Sequence, residues 1–123
     1  MAKLGQYGHQ LETMTAQEVF DVATEHLLTQ MEKSQDYKAC LYDGGNICCA
    51  AAPFIKIYEK DLDSGNEDWD GVVSRGCASS NHSGLIFRLQ NLHDNNPPEK
   101  WASLLRNWIA VRDELEYNGE QYE

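Results

Sequence analysis

The feature that most constrains the fold is a complete helix-start signal near the N-terminus. Thr15 is a good N-cap, and Glu18, three residues on, completes a capping box. Met14 and Val19 occupy the two positions of a hydrophobic staple. Phe20, Ala23, Leu27 and Met31 then recur at helical spacing, which predicts a helix over residues 16–32 with Asp21, Glu25 and Glu32 on its solvent side. A second signature closes the chain. Asn96 as N-cap, Pro97 at N1 and Glu99 at N3 open a helix expected to reach about Tyr117, where Asn118-Gly119 supplies the stop. Its apolar stripe is Trp101, Leu104, Leu105, Trp108, Val111 and Leu115. Between the two, Ser83 is placed to cap a helix running to about His93, with Leu85, Ile86, Leu89 and Leu92 facing inward.

The segments between these helices are less regular. Residues 38–42 and 47–49 flank Asp43-Gly44-Gly45-Asn46 and read as a short β-hairpin lying on the helices. Residues 53–58 read as a short buried helix opened by Pro53, although Ile55 and Ile57 also suit a strand. Residues 59–82 form a long polar, acidic loop with one helical turn near Val72 and Val73. The expected fold class is mainly α: a single small helical domain of three to four helices with one short β-hairpin, or α+β if the hairpin extends. Residues 1–14 form an N-terminal arm and 118–123 an acidic tail. A chain of 123 residues with 41% apolar content can close one core without staples.

Charge then narrows function. Twenty acids face ten bases, a formal net charge of −10. The stretch 59–70 holds Glu59, Asp61, Asp63, Glu67, Asp68 and Asp70 against Lys60 alone, and the tail after Arg112 holds Asp113, Glu114, Glu116, Glu120 and Glu123 with no base. Such a surface repels nucleic acid and anionic membrane and attracts basic protein surfaces. No apolar run approaches the ~18 residues of a membrane span, and residues 1–13 lack a signal-peptide core. The expected location is a reducing (host) cytoplasm, where Cys40, Cys48, Cys49 and Cys77 are thiols.

Three blocks carry a resemblance. They are Ala16-Gln17-Glu18-Val19-Phe20-Asp21 leading to His26-Leu27-Leu28-Thr29-Gln30; Cys40-Leu41-Tyr42, a glycine turn, then Cys48-Cys49-Ala50; and Leu89-Gln90 with His93-Asp94. Over most of residues 15–110 the chain resembles a group of small proteins of bacteriophages and bacterial mobile elements. In that group the turn is longer, and a glycine stands where this chain has Ala52, which implies a different backbone path after the hairpin. The resemblance brings no activity with it. It implies a phage or phage-like source and a host-directed accessory role.

Each candidate site has a plain structural alternative. Asp61-Leu62-Asp63-Ser64-Gly65-Asn66 begins like a calcium loop, but its sixth position is Asn66 rather than glycine and its twelfth is Val72 rather than glutamate. Cys40, Cys48 and Cys77 with His82 have zinc chemistry but no C-x-x-C spacing, and buried cysteine is the alternative. A cysteine nucleophile needs a base, for which His9, His26, His82 and His93 are the candidates. His93-Asp94 is the central pair a metal-dependent phosphohydrolase would use, with His26 and His82 to be recruited; an Asp94 that accepts backbone N–H groups in the turn is the simpler reading. No phosphate-gripping glycine loop or serine elbow occurs.

The leading expectation is therefore a binding protein without catalytic residues or cofactor. It would be a phage-encoded acidic inhibitor, of anti-CRISPR or transcription-inhibitor type, that occupies a basic surface of a host nucleic-acid-handling complex. Glu59, Asp61, Asp63, Glu67, Asp68 and Asp70 would make the contact, Trp69 would be its apolar anchor or equally a lid over the core, and Glu114 and Glu116 would form a second patch. The alternatives are a zinc-stabilised interaction protein and a small metal- or cysteine-dependent hydrolase. A homodimer through Tyr37, Tyr42 and Tyr58 is a further expectation.

Overall fold

A computed structural model describes residues 2–34, 42, 49–65 and 67–123. Of the expected hairpin only Tyr42 and Cys49 are described; the rest of it, with Tyr37, Cys40 and Cys48, lies outside the described residues. The chain is mainly helical, with no strand among the described residues.

Helix α1 spans Ala16–Gln30, and its start is the one read from sequence: Thr15 accepts from the Glu18 N–H while the Glu18 carboxylate accepts from the Thr15 N–H. It ends two residues early because Met31 takes a left-handed conformation (φ 51°). That turn lets the Ser34 N–H and the Lys33 ammonium reach the end of the later helix Ser83–Asn95, at His93 and the Asp94 carbonyl.

The N-terminal arm is not free. Gly5 and Tyr7 donate to the Ala52 and Pro53 carbonyls, and Leu11 is buried. Gly8 permits this approach, since a Cβ there would stand 2.2 Å from the Ile55 carbonyl oxygen. The expected helix over 53–58 is a single 3₁₀ turn, Ala52–Phe54. The chain then extends, because the N–H groups of both Lys56 and Ile57 bond the Cys77 carbonyl instead of continuing a helical ladder.

The acidic stretch is not one loop. It folds into α2 (Asp61–Ser64) and α3 (Trp69–Ser74), the latter capped by Asp68, which accepts from the Gly71 N–H. Helix α4 spans Ser83–Asn95. Ser83 lies inside it rather than capping it, because its hydroxyl donates to the Ser80 carbonyl; His82, left-handed at φ 58°, holds the cap position and donates through Nε2 to the Met14 carbonyl at 2.6 Å.

The Asn96-Pro97-Pro98 sequence holds the chain extended, as residues before proline require. A 3₁₀ turn at Pro98–Lys100 then leads into one continuous helical run made of α5 (Trp101–Leu104), a π-helical segment (Leu105–Ile109) and α6 (Ala110–Arg112). The π segment adds a residue to the turn and so rotates the later positions about the helix axis. Ile109 and Ala110 face the core where the α period placed Trp108 and Val111, and Val111 is 69% exposed. The run ends before the expected Tyr117 in a Schellman motif, with Glu114 left-handed (φ 55°) and the Leu115 and Glu114 N–H groups bonding the Ala110 and Val111 carbonyls.

Helix α4 packs against α1, α3 and the last helix, and α1 also packs on α5. Phe20, Leu27, Phe54, Leu62, Trp69, Ile86, Leu89, Trp101 and Leu105 fill the shared interior. The final segment returns across α1, where its 3₁₀ turn, Glu120–Tyr122, is seated.

Candidate functional site

The predicted contact acids go to different places. Arg75 gathers three of them, at 3.4 Å from Glu59, 3.6 Å from Asp61 and 3.8 Å from Glu67. Asp63 turns inward, where one oxygen accepts the Tyr42 N–H (2.6 Å) and the other the Tyr58 hydroxyl (2.5 Å). Asp68 is spent on the α3 cap. Asp70 is exposed. Trp69 is not a surface anchor, because its side chain is fully buried. Tyr42 also points inward: its hydroxyl donates to the Glu67 carbonyl and accepts from Gln90 Nε2, whose Oε1 takes the Trp69 N–H at 2.9 Å. This network fastens the acidic segment to α4.

The second predicted patch, Glu114 and Glu116, meets partners that sequence reasoning did not give it. Gln17 of α1 clamps the Glu116 backbone, its Nε2 donating to the carbonyl and its Oε1 accepting the N–H, both at 2.9 Å. One turn further along α1, Asp21 Oδ1 accepts from Gln17 Nε2 and from Asn118 Nδ2. The last segment is thereby held along α1, so that two stretches without lysine or arginine run beside each other. The signal was present in the sequence: residues 4–32 contain no lysine or arginine, and neither do residues 113–123. Two of the nearby arginines are engaged at the margin, while Arg112, beside Asp113, is exposed. Arg88 pairs with Asp113 at 2.5 Å, and Arg106 lies 5.3 Å over the Tyr117 ring and 3.7 Å from Glu123.

The other candidates occupy structural positions. His93 is fully buried and stacked on Trp101 at 5.5 Å. Its Nε2 accepts the Ser34 N–H, so Nδ1 carries the proton and donates to Asp94 at 2.7 Å. Both ring nitrogens are used within the chain. His26 is buried on α1, and His9 is exposed in the arm. Among the described residues no group of three or more His, Cys, Asp or Glu side chains is placed to hold a metal, and no helix is long and apolar enough to cross a membrane. Cys49 and Cys77 are buried thiols, and burial, with Glu59 adding to it, raises the Cys77 thiol pKa.

Two phenols have a testable consequence. Burial raises the Tyr42 pKa, with Cys49 adding to it; burial and then the hydrogen bond to Glu123 raise that of Tyr117. The folded state thus favours the neutral phenol, so the stability these groups contribute is complete below the unfolded value of ~10 and is lost as pH rises beyond it. In an alkaline titration followed by phenolate absorbance, the Tyr42 phenol is expected to ionise only as the helical circular-dichroism signal collapses, and that of Tyr117 later than a free phenol. Ionisation of all six tyrosines near pH ~10 with that signal intact would contradict these environments.

Compared with protein-family models, curated proteins and solved structures, the chain finds no significant match in sequence or in fold.

Proposed function

We propose that this chain is an acidic binding module that docks the face formed by α1 and the C-terminal segment onto a cationic protein surface. One observation supports the reading best. The clamp of Gln17 on Glu116 lays two base-free stretches side by side, whereas the carboxylates around Arg75 are partly neutralised by their own arginine. Unscreened carboxylates on one face accelerate association with a basic partner, and the attraction weakens with salt. Exposed Glu59, Asp61 and Asp70 supply a secondary contact. The resemblance to phage and mobile-element proteins directs the proposal to a basic groove of a host nucleic-acid-handling complex, which an acidic protein would inhibit by occupying the place of phosphates.

The test uses a cationic probe protein titrated at several salt concentrations. Changing Glu18, Glu25, Glu114, Glu116 and Glu120 together to glutamine is expected to weaken binding by at least about tenfold at low salt and to flatten the salt dependence. Neutralising Glu59, Asp61 and Glu67 is expected to have a smaller effect. Unchanged affinity in the first variant discards the reading.

A further inference from the structure

An asparagine side chain can react with the backbone when the next residue offers an uncrowded amide nitrogen, and glycine, without a Cβ, is the least crowded. Of the chain's eight asparagines only Asn118 precedes a glycine. It is exposed, and the Gly119 N–H has no hydrogen bond among the described residues, so no bond must break to free that nitrogen. The restraint lies elsewhere. Asn118 Nδ2 donates to Asp21 Oδ1 at 3.2 Å. Gly119 is enclosed, since a Cβ there would stand 2.6 Å from Thr24 Cγ2 and 2.7 Å from the Tyr117 side chain. The same two residues seat the last turn: the Tyr122 N–H bonds the Gly119 carbonyl, and Gln121 Nε2 bonds the Asn118 carbonyl. The one asparagine–glycine pair therefore stands where the C-terminal turn is held on α1.

We propose that Asn118 is a site of spontaneous deamidation whose products unseat the C-terminal turn from α1. A solvent base takes the Gly119 N–H proton, and the nitrogen attacks Asn118 Cγ. The N–Cγ bond forms, the Cγ–Nδ2 bond breaks, and the amide nitrogen leaves as ammonia, recovering that proton. Water then opens the cyclic imide at either carbonyl: its hydroxyl goes to the carbon and its proton to the nitrogen, leaving aspartate or isoaspartate. Neither product fits the site. Aspartate sets a carboxylate against Asp21 Oδ1 where an N–H donor stood, so an attraction becomes a like-charge contact. Isoaspartate runs the main chain through the former side chain, adding a methylene for which the packing of Gly119 on Thr24 and Tyr117 leaves no room. Because Gly119 is enclosed and the amide is tied, the reaction runs through local openings of the terminal turn. The inference goes beyond the binding reading and needs no partner. Its consequence for the acidic face is one more negative charge and a loosened edge.

The full chain is aged in mildly alkaline buffer, folded and in parallel in denaturing urea, and every asparagine is followed by peptide mass and by isoaspartyl methyltransferase labelling. Asn118 is expected to convert before any other asparagine in both conditions, about tenfold or more slowly in the folded chain. Asp21→Ala unties the amide and is expected to speed the folded reaction at least about threefold, the share of one hydrogen bond to a charged group. The aged protein and Asn118→Asp, which fixes one product, are both expected to exchange the Tyr122 and Glu123 amides at least about threefold faster than the parent, with the α1 amides unchanged. Asn118 is exposed, so the variant folds and the comparison holds. An Asn118 that keeps its amide in the folded chain after converting fully in urea overturns the proposal, as does another asparagine converting first. Unchanged exchange at Tyr122 and Glu123 in both the aged protein and Asn118→Asp overturns the unseating.

Discussion

Replacing Trp69 by alanine is expected to lower the unfolding free energy by about 3–5 kcal/mol, the range for truncating a fully buried large aromatic. The indole is wholly enclosed at the first turn of α3, where that helix packs on α4. Leu62, Val72, Ile86 and Leu89 are fully buried members of the same core. Against a total stability of roughly 5–15 kcal/mol, the loss should appear as a fall of about 10–20 °C in Tm. Trp69→Phe separates volume from polarity. Trp69 Nε1 is a buried donor without a partner among the described residues, so phenylalanine loses contact area but also removes an unsatisfied N–H. Its expected cost is about 1–2 kcal/mol. Denaturant unfolding of the two variants checks this, and a cost for Trp69→Ala below about 1 kcal/mol would return the residue to the surface. The phenylalanine variant, which folds, should bind a cationic partner as the parent does.

Trp69 also shows where the sequence was and was not legible. A tryptophan between Asp68 and Asp70 reads equally as an exposed anchor and as a lid over the core, because its neighbours are charged and the stretch reads as a loop. Period counting cannot reveal that Asp68 is a cap and that α3 begins at the tryptophan itself. The start of α1 was fully legible because a capping box is a local device whose partners lie three residues apart. The inner positions of α4 were legible for a similar reason, since Leu85, Ile86, Leu89 and Leu92 keep an unbroken α period. The last helix was legible only as far as Leu105, where a π turn that carries no sequence mark displaced Val111 outward. The candidate face was the least legible element. Gln17 and Glu116 stand 99 positions apart, and only the fold reveals that two base-free stretches become neighbours. The loop acids misled in the opposite sense: Arg75, at the end of α3, comes back over Glu59, Asp61 and Glu67, a closure set by the turns of α2 and α3 rather than by composition.

Replacing Gln90 by leucine is expected to cost about 2–4 kcal/mol, from two buried polar groups losing partners at once. Gln90 Oε1 is the acceptor for the Trp69 N–H, and its Nε2 donates to the Tyr42 hydroxyl, which in turn donates to the Glu67 carbonyl. Leucine fills similar volume, so the penalty measures the network rather than a cavity. Gln90→Glu makes the same point with a sign that can be reversed. A carboxylate at this position still accepts the Trp69 N–H but has no proton for Tyr42, and it places a charge in an interior site. A protonated carboxyl restores the missing donor. Burial should raise the folded pKa of this glutamic acid above its unfolded value of ~4.3. The variant is then closest to the parent below that value and falls progressively further behind as pH rises through the raised one. Comparing the two proteins by denaturant unfolding at each pH removes the acid sensitivity they share. A stability difference that stayed flat with pH, or that narrowed as pH rose, would mean that the residue 90 side chain does not donate to Tyr42 in the folded protein. The attachment of the acidic segment to α4 would then rest on the Trp69 N–H bond to residue 90 and on apolar contact.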